Sequence, residues 1–323
     1  MRLTARVLGT ICIGTALSSA VAAAATGRDY PAKPIRLLTA GTGGGSDITA
    51  RVIADGLGAR MGQPVVVDSR VGGVIIADIG AKAYPDGYTV IVYSAALWLL
   101  PLMQEKAAYD VFRDFAPISH IGSSPMVLVV NPAVAAKSVT DLIALAKAKP
   151  RELNYATGPL GATPHIAGEL FKFMAKVDMV HVAYRSVGAG LTDVLGGRVQ
   201  LMFPAAATAM PQIKAGKLRG LGVGSLTPSA LAPDLVPISD SGLPGFEAIA
   251  TFGMFAPAKT SPAIIRRLNE EVVRAVTSPE VKERLLAAGI EVIASSPEGL
   301  MKLIKNDVVV LGKVIRTAKI RLD

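Results

Sequence analysis

The sequence is poor in the residues that carry most covalent and metal chemistry. It holds one cysteine, Cys12, one tryptophan, Trp98, and three histidines. A single cysteine excludes a disulfide within the chain. Cys12 also follows Ile11, not the small residue that precedes a lipidated cysteine, so a lipid anchor is not expected. Stability must come from a core, which roughly 300 residues can supply. Aromatic side chains make up only 5% and do not interleave with Lys and Arg. The formal charge of +9 is therefore a scattered positive field that favours small anions over nucleic acid. Beyond the first segment every apolar run is short and broken by Gly, Pro or charge, which excludes a transmembrane helix there.

That first segment has its own order. Arg2 and Arg6 precede an apolar stretch over 7–20 and the small-residue run Val21-Ala22-Ala23-Ala24-Ala25. This predicts a secretory signal over 1–25, cleaved on export to the periplasm. Cleavage removes Cys12 and leaves a mature chain without thiol chemistry.

The rest alternates Val/Ile/Leu-rich runs with helical patterns. Strands are predicted over 35–40, 64–68, 88–93 and 126–131. A second cycle places strands over 153–156, 179–183, 199–203 and 218–223. Helices are predicted over 46–61, 138–147, 163–174, 189–195 and 207–214. Nearly continuous apolar strands between amphipathic helices predict an α/β protein with two largely parallel sheets. A further strand over 250–256 leads into three helices, each opened by a Ser-Pro pair (Ser261-Pro262, Ser278-Pro279, Ser296-Pro297). These helices are expected to return to the first half.

Each cycle opens with a strand, a glycine- and threonine-rich loop and a helix. The first loop reads Gly41-Thr42-Gly43-Gly44-Gly45-Ser46-Asp47, the second Thr157-Gly158-Pro159-Leu160-Gly161-Ala162-Thr163. Glycine lets successive N–H groups converge, and a helix start adds free N–H groups and partial positive charge. Such a loop holds an anion without Lys or Arg, and two of them suit a carboxylate gripped from both sides. A Walker loop would need Gly-Lys-Ser/Thr, and Lys is absent. A dinucleotide loop would need a third glycine where Ser46 stands, although Asp68 imitates the ribose-binding acid. A serine-hydrolase elbow would need a glycine after Ser46-Asp47. In the bland reading the glycines only turn the chain.

His165 with Glu169 and His181 with Asp178 are single pairs without a third ligand, so no metal and no cofactor are expected. His181 reads as a structural residue in a strand. His165, in the first turn after the second loop, either bonds a ligand carboxylate or pins the loop, and pinning is favoured. Asp47 serves the helix dipole first and the ligand second. Ser94 and Ala95 end a strand where ligands bind in parallel sheets, whereas Trp98 reads as core or an interdomain wedge. Arg185 either reaches a distal carboxylate or forms a surface ion pair.

Several motifs go further. Tyr30-Pro31-x-Lys33-Pro34-Ile35-Arg36, Gly43-Gly44-Gly45-Ser46-Asp47-Ile48-x-Ala50-Arg51, Pro85-Asp86-Gly87-Tyr88-Thr89 and His165-x-Ala167-Gly168-Glu169-Leu170-Phe171 occur in order. Val180-His181-Val182-x-Tyr184 and Ile213-Lys214-Ala215-Gly216-Lys217-Leu218-Arg219 follow. Together they resemble the Bug-type substrate-binding proteins of tripartite tricarboxylate transporters. The resemblance implies a two-lobed type II periplasmic-binding fold with a ligand cleft between lobes. Lobe 1 is expected over 26–130 plus 250–323 and lobe 2 over 131–249. It implies a monomeric, non-catalytic receptor that passes a small organic acid to membrane subunits of such a transporter or to a sensor.

On matching positions the ligand would be held by Gly43, Gly44, Gly45, Ser46 and Asp47 with Thr157, Gly158, Gly161 and Thr163. Ser94 and Ala95 would line the cleft, with His165 beside them and Pro204 and Ala205 at the ligand's far end. Many members carry an Asp after the position of Phe203; here Pro204 follows, which disfavours an amino-acid ligand. With Trp98 and Met202 nearby in the pattern, a less polar or aromatic acid is a further expectation. The competing classes are an exported enzyme with His165 as general base and a nicotinamide oxidoreductase using Gly41 to Ser46 and Asp68.

Overall fold

The computed structural model describes residues 30–41, 45–70 and 73–322; the signal expected over 1–25 lies outside them. In chain order the first part runs β1 (Ile35–Ala40), α1 (Gly45–Met61), β2 (Val65–Arg70), α2 (Gly73–Ala81), β3 (Thr89–Ser94), α3 (Ala96–Leu99), α4 (Val111–Asp114) and β4 (Phe115–Pro125). The middle runs β5 (Val127–Val130), α5 (Val139–Ala148), β6 (Asn154–Thr157), α6 (Thr163–Ala175), β7 (Val180–Ala183), α7 (Val187–Leu195), β8 (Leu201–Met202), α8 (Ala206–Lys214) and β9 (Arg219–Val223). The last part holds β10 (Ile249–Pro257), α9 (Pro262–Val276), α10 (Pro279–Ala287), β11 (Glu291–Val292) and α11 (Pro297–Thr317).

Two sheets result, ordered β11-β4-β10-β3-β1-β2 and β7-β6-β8-β5-β9. Each has a parallel part, β2-β1-β3 and β7-β6-β8. The rest is antiparallel: β10 runs against β3 and β4, and β5 against β8 and β9. The sheets are thus mixed, not largely parallel, because the strands that carry the chain between them enter against the others. The chain leaves the first sheet at Pro125, enters the second at Val127, and returns through Ala248. The two crossings lie side by side. Met126 N–H donates to Ala248 O at 3.0 Å, and Gly224 bonds to both.

Helices cover both faces of each sheet, as strands buried on two sides require. Period-two alternation sorts β5 between two cores: Leu128 and Val130 pack with α5 and α6, while Val127 and Val129 pack with α7 and α8. On the first sheet, Ile35 and Leu37 face α1 and α9, and Leu38 faces α2, α3 and α11.

Two strands escaped the sequence pattern, the two-residue β11 and the long β4. The β4 segment carries Pro117, Gly122 and four polar residues, so it lacks the apolar signature of a strand. Its polar groups are met by one crossing segment: Ser119 Oγ donates to Ser295 O at 2.8 Å, and Ser295 Oγ accepts from His120 N at 3.0 Å. Asn269 Nδ2 donates to Ile118 O at 2.8 Å and to Ser295 O at 2.9 Å.

The C-terminal helices partly depart from expectation. The α9 and α10 helices return to the first sheet, but α11 packs on β4 and α3 and also on α6, and its Val314 joins the core of the second sheet. Ser261 and Ser296 accept N–H groups of the first turn, as expected, whereas Ser278 makes no such bond and donates to Ala275 O instead. No helix among the described residues is long and apolar enough to cross a membrane.

Candidate functional site

Strand direction gathers the site. The carboxyl ends of β1 and β3 point to one edge of the first sheet, where the Gly41 loop and Ser94-Ala95 follow. The carboxyl ends of β6 and β8 do the same in the second sheet, where Thr157–Ala162 and Phe203–Ala205 follow. Ligands settle at such edges because the loops there are free of the sheet and the next helices start there.

Three helix starts at these edges lack a side-chain cap from the residue before them, as α10 does elsewhere, although Ser94 Oγ accepts the Ala96 N–H of α3 at 3.4 Å. The residues preceding α3, α6 and α8 are Ala95, Ala162 and Ala205, and none supplies a side-chain cap. By contrast α5, α7, α9 and α11 are capped by Ser138, Ser186, Ser261 and Ser296. An uncapped start leaves N–H groups and partial positive charge for an external anion. Sequence reading singled out Ala95 and Ala205 for position, not for this; the absence of Ser, Thr, Asp or Asn there was the available signal.

In the first loop Gly43 and Gly44 lie outside the described residues. Gly45 begins α1 against the ring of Phe252, where a Cβ would lie 2.5 Å from Cζ. Ser46 and Asp47 are buried. Asp47 accepts from Arg51 Nε at 3.0 Å and from Ser69 Oγ, so its carboxylate clamps the start of α1 to the end of β2.

The second loop rests on a stack of rings. His181 lies 4.2 Å from His165 and 5.0 Å from Tyr155, centroid to centroid, with both pairs near parallel. Tyr155 OH donates to Glu169, whose Oε1 also accepts from Lys172 Nζ at 2.9 Å. Burial, then the Glu169 charge, pushes the Tyr155 hydroxyl far above its ordinary range. His165 Nδ1 accepts the N–H of Gly161 at 3.0 Å, the pinning arrangement. Burial, with His181 adjacent, lowers its pKa to about 4, so the ring is neutral and keeps that lone pair.

Thr157 Oγ1 donates to Gly158 O at 2.9 Å and lies 2.7 Å from His181 Nε2. With its proton used, the hydroxyl accepts from His181, which fixes the Nε2–H tautomer. The Thr157 hydroxyl is thus fully buried and committed to the loop, leaving Thr163 as the more accessible hydroxyl.

A cavity of about 820 Å³ joins the two halves, with Ser94 and Ala95 on one wall and Gly161, Ala162 and Thr163 on another. Gly45, Ser46, Asp47, Thr157, Gly158, His165, Pro204 and Ala205 do not line it. Ala205 bridges to Met126 at the crossing, and Pro204 O accepts from Val127 N at 2.8 Å. Trp98 and Met202 are buried in the cores and give the cavity no apolar face. Trp98 packs on Phe255 and donates Nε1–H to Asp307 at 3.0 Å. Arg185 is exposed and makes no ion pair among the described residues. No group of three metal-ligating side chains occurs among those residues.

Two sheets joined by paired crossings, with glycine-rich loops at carboxyl edges of both, form the two-lobed fold of periplasmic solute-binding proteins. The chain belongs to the tripartite tricarboxylate transporter family receptors, whose profile matches residues 49–320. Protein BugT of Bordetella pertussis is 34% identical over 317 residues, 96% of this chain and 97% of that protein. The solved structure of R. palustris Rpa4515 with adipate is 32% identical with TM-score 0.76, covering 91% of this chain and 99% of its own. MatC from Rhodopseudomonas palustris with bound malate is 26% identical with TM-score 0.73, covering 88% of this chain and all (100%) of its own.

Proposed function

We propose that this chain is an extracytoplasmic receptor that encloses a small organic carboxylate between its lobes and delivers it to a tripartite tricarboxylate-type uptake system. The observation that carries this reading is the set of uncapped helix starts at Ala95, Ala162 and Ala205 beside the carboxyl edges of both sheets. Relatives with adipate and malate bound add to it. The first grip comprises Gly43, Gly44, Gly45 and Ser46, with Asp47 holding the helix start in place. The second comprises the backbone of Gly158–Thr163 and the Thr163 hydroxyl.

The lobes divide at the crossings near Met126 and Ala248, in place of boundaries at 130 and 249, because β5 (Val127–Val130) pairs within the second sheet. The mature protein acts in the periplasm as a monomer after loss of residues 1–25. Its role is capture and not catalysis: of the two stacked histidines beside the second grip, His165 spends its lone pair on Gly161 and His181 is bonded to Thr157. Thermal melting against mono- and dicarboxylates tests the reading, since a bound ligand raises the midpoint by mass action. At least one carboxylate of four to six carbons is expected to raise it saturably. Stabilisation by NAD and by no carboxylate would overturn the assignment.

A further inference from the structure

The cavity touches the second grip at Gly161, Ala162 and Thr163 and extends well beyond it. It is lined by Ser94 and Thr163, by Ile166 and Leu170 of α6, by Leu303 and Leu311 of α11, and by Glu247 and Asp307. A volume of about 820 Å³ greatly exceeds what a four-carbon acid fills, and falls in the range of sites that enclose a drug-sized molecule. Most of that lining is aliphatic, yet it includes two carboxylates, those of Glu247 and Asp307.

Those carboxylates are under-partnered. Asp307 Oδ2 accepts from Trp98 Nε1 at 3.0 Å, while Oδ1 has no partner among the described residues. Glu247 makes neither hydrogen bond nor ion pair among them. Lys302 lines the same cavity without pairing to either acid; α3 and α6 contribute no other charged group to the lining. Burial raises the pKa of Asp307 to about 6, against the lowering effect of Trp98, and burial raises that of Glu247. Two half-buried acids without counterions, facing an apolar chamber, are matched by a ligand that brings the missing donor.

We propose that this chamber is the distal compartment of the ligand site, built for a carboxylate whose apolar body ends in an amine or hydroxyl donated to Asp307 and Glu247. This rests on the carboxylate-receptor reading and specifies the ligand's other end. The sequence offered no acid after Phe203 to receive such a group; the fold supplies it from α11 and from the approach to the hinge.

The test is calorimetric titration of the mature chain with matched pairs: hexanoate against 6-aminohexanoate and 6-hydroxyhexanoate, octanoate against 8-aminooctanoate, with succinate and adipate alongside. At pH 7.5 an amino acid of one or both lengths binds at least about tenfold more tightly than its unsubstituted partner. The preference shrinks below pH 5, where Asp307 is protonated, and disappears in Asp307→Asn, which retains an acceptor for Trp98. Leu303→Trp, which fills the chamber, abolishes binding of the eight-carbon ligands and leaves succinate binding unchanged. If succinate or adipate binds but no pair differs by more than about twofold, the compartment is refuted and the receptor reading stands. A preference that survives Asp307→Asn combined with Glu247→Gln also refutes it. If no carboxylate binds, both fail.

Discussion

His165 Nδ1 accepts the N–H of Gly161 at 3.0 Å, so the first turn of α6 holds the loop that precedes it. Gly161 has φ +75°, a conformation that glycine adopts at little cost and that the histidine fixes. His165→Ala removes the acceptor and leaves the loop to be ordered by ligand. Its carboxylate affinity is expected to fall about tenfold, with a stability loss on the order of 1 kcal/mol. His165→Asn, which still offers an acceptor, should recover part of the affinity in the same titration.

Acidification should weaken the fold through its buried histidines. The pKa values of His120 and His165 are lowered to about 4, in each case chiefly by burial, against about 6.5 in an unfolded chain. Between those values the unfolded state binds more protons, so the contribution is complete above pH 6.5 and is lost as pH falls toward 4. Urea midpoints measured from pH 7.5 to 4.5 should decline, and His120→Asn should flatten the slope.

Asp307 has the opposite sign. Its folded pKa near 6 exceeds the unfolded value near 3.9, so its contribution favours folding at low pH and fades as pH rises through 6. Asp307→Asn keeps the Trp98 bond and removes the buried charge. The variant should melt above the wild type at pH 7.5, by on the order of 1 kcal/mol, and the difference should shrink by pH 5.

Gly45→Ala should displace the first loop, because its new Cβ would meet the Phe252 ring at 2.5 Å. Backbone strain at positive φ is not the reason; crowding is. Ligand affinity should fall further than stability, and Phe252→Leu added to Gly45→Ala should restore part of it.

Much of the fold was legible because apolar runs and glycine-rich turns agree locally with the global arrangement, as at β1, α1 and α6. The β4 strand was not. Its Pro117, Gly122 and serines read as loop, and only the distant Ser295 and Asn269 make those polar groups bearable in a sheet. Of the loop residues that type and spacing singled out, Gly161 and Thr163 line the cavity, beside Ser94 and Ala95. Thr157 was misleading, since nothing local tells that its hydroxyl is taken by Gly158 and His181. Glu247 and Asp307 were invisible as site residues because they come from segments sixty positions apart, joined only by packing of α11.

The most direct measurement is titration of Ser46→Ala combined with Thr163→Ala against whichever carboxylate stabilises the wild type. Both side chains stand at helix starts, Ser46 on α1 and Thr163 on α6, and neither belongs to a hydrophobic core. The double variant should keep the wild-type circular dichroism and melting midpoint without ligand, and bind the acid at least about tenfold more weakly. Undiminished binding by the folded variant would contradict a carboxylate gripped between the two loops.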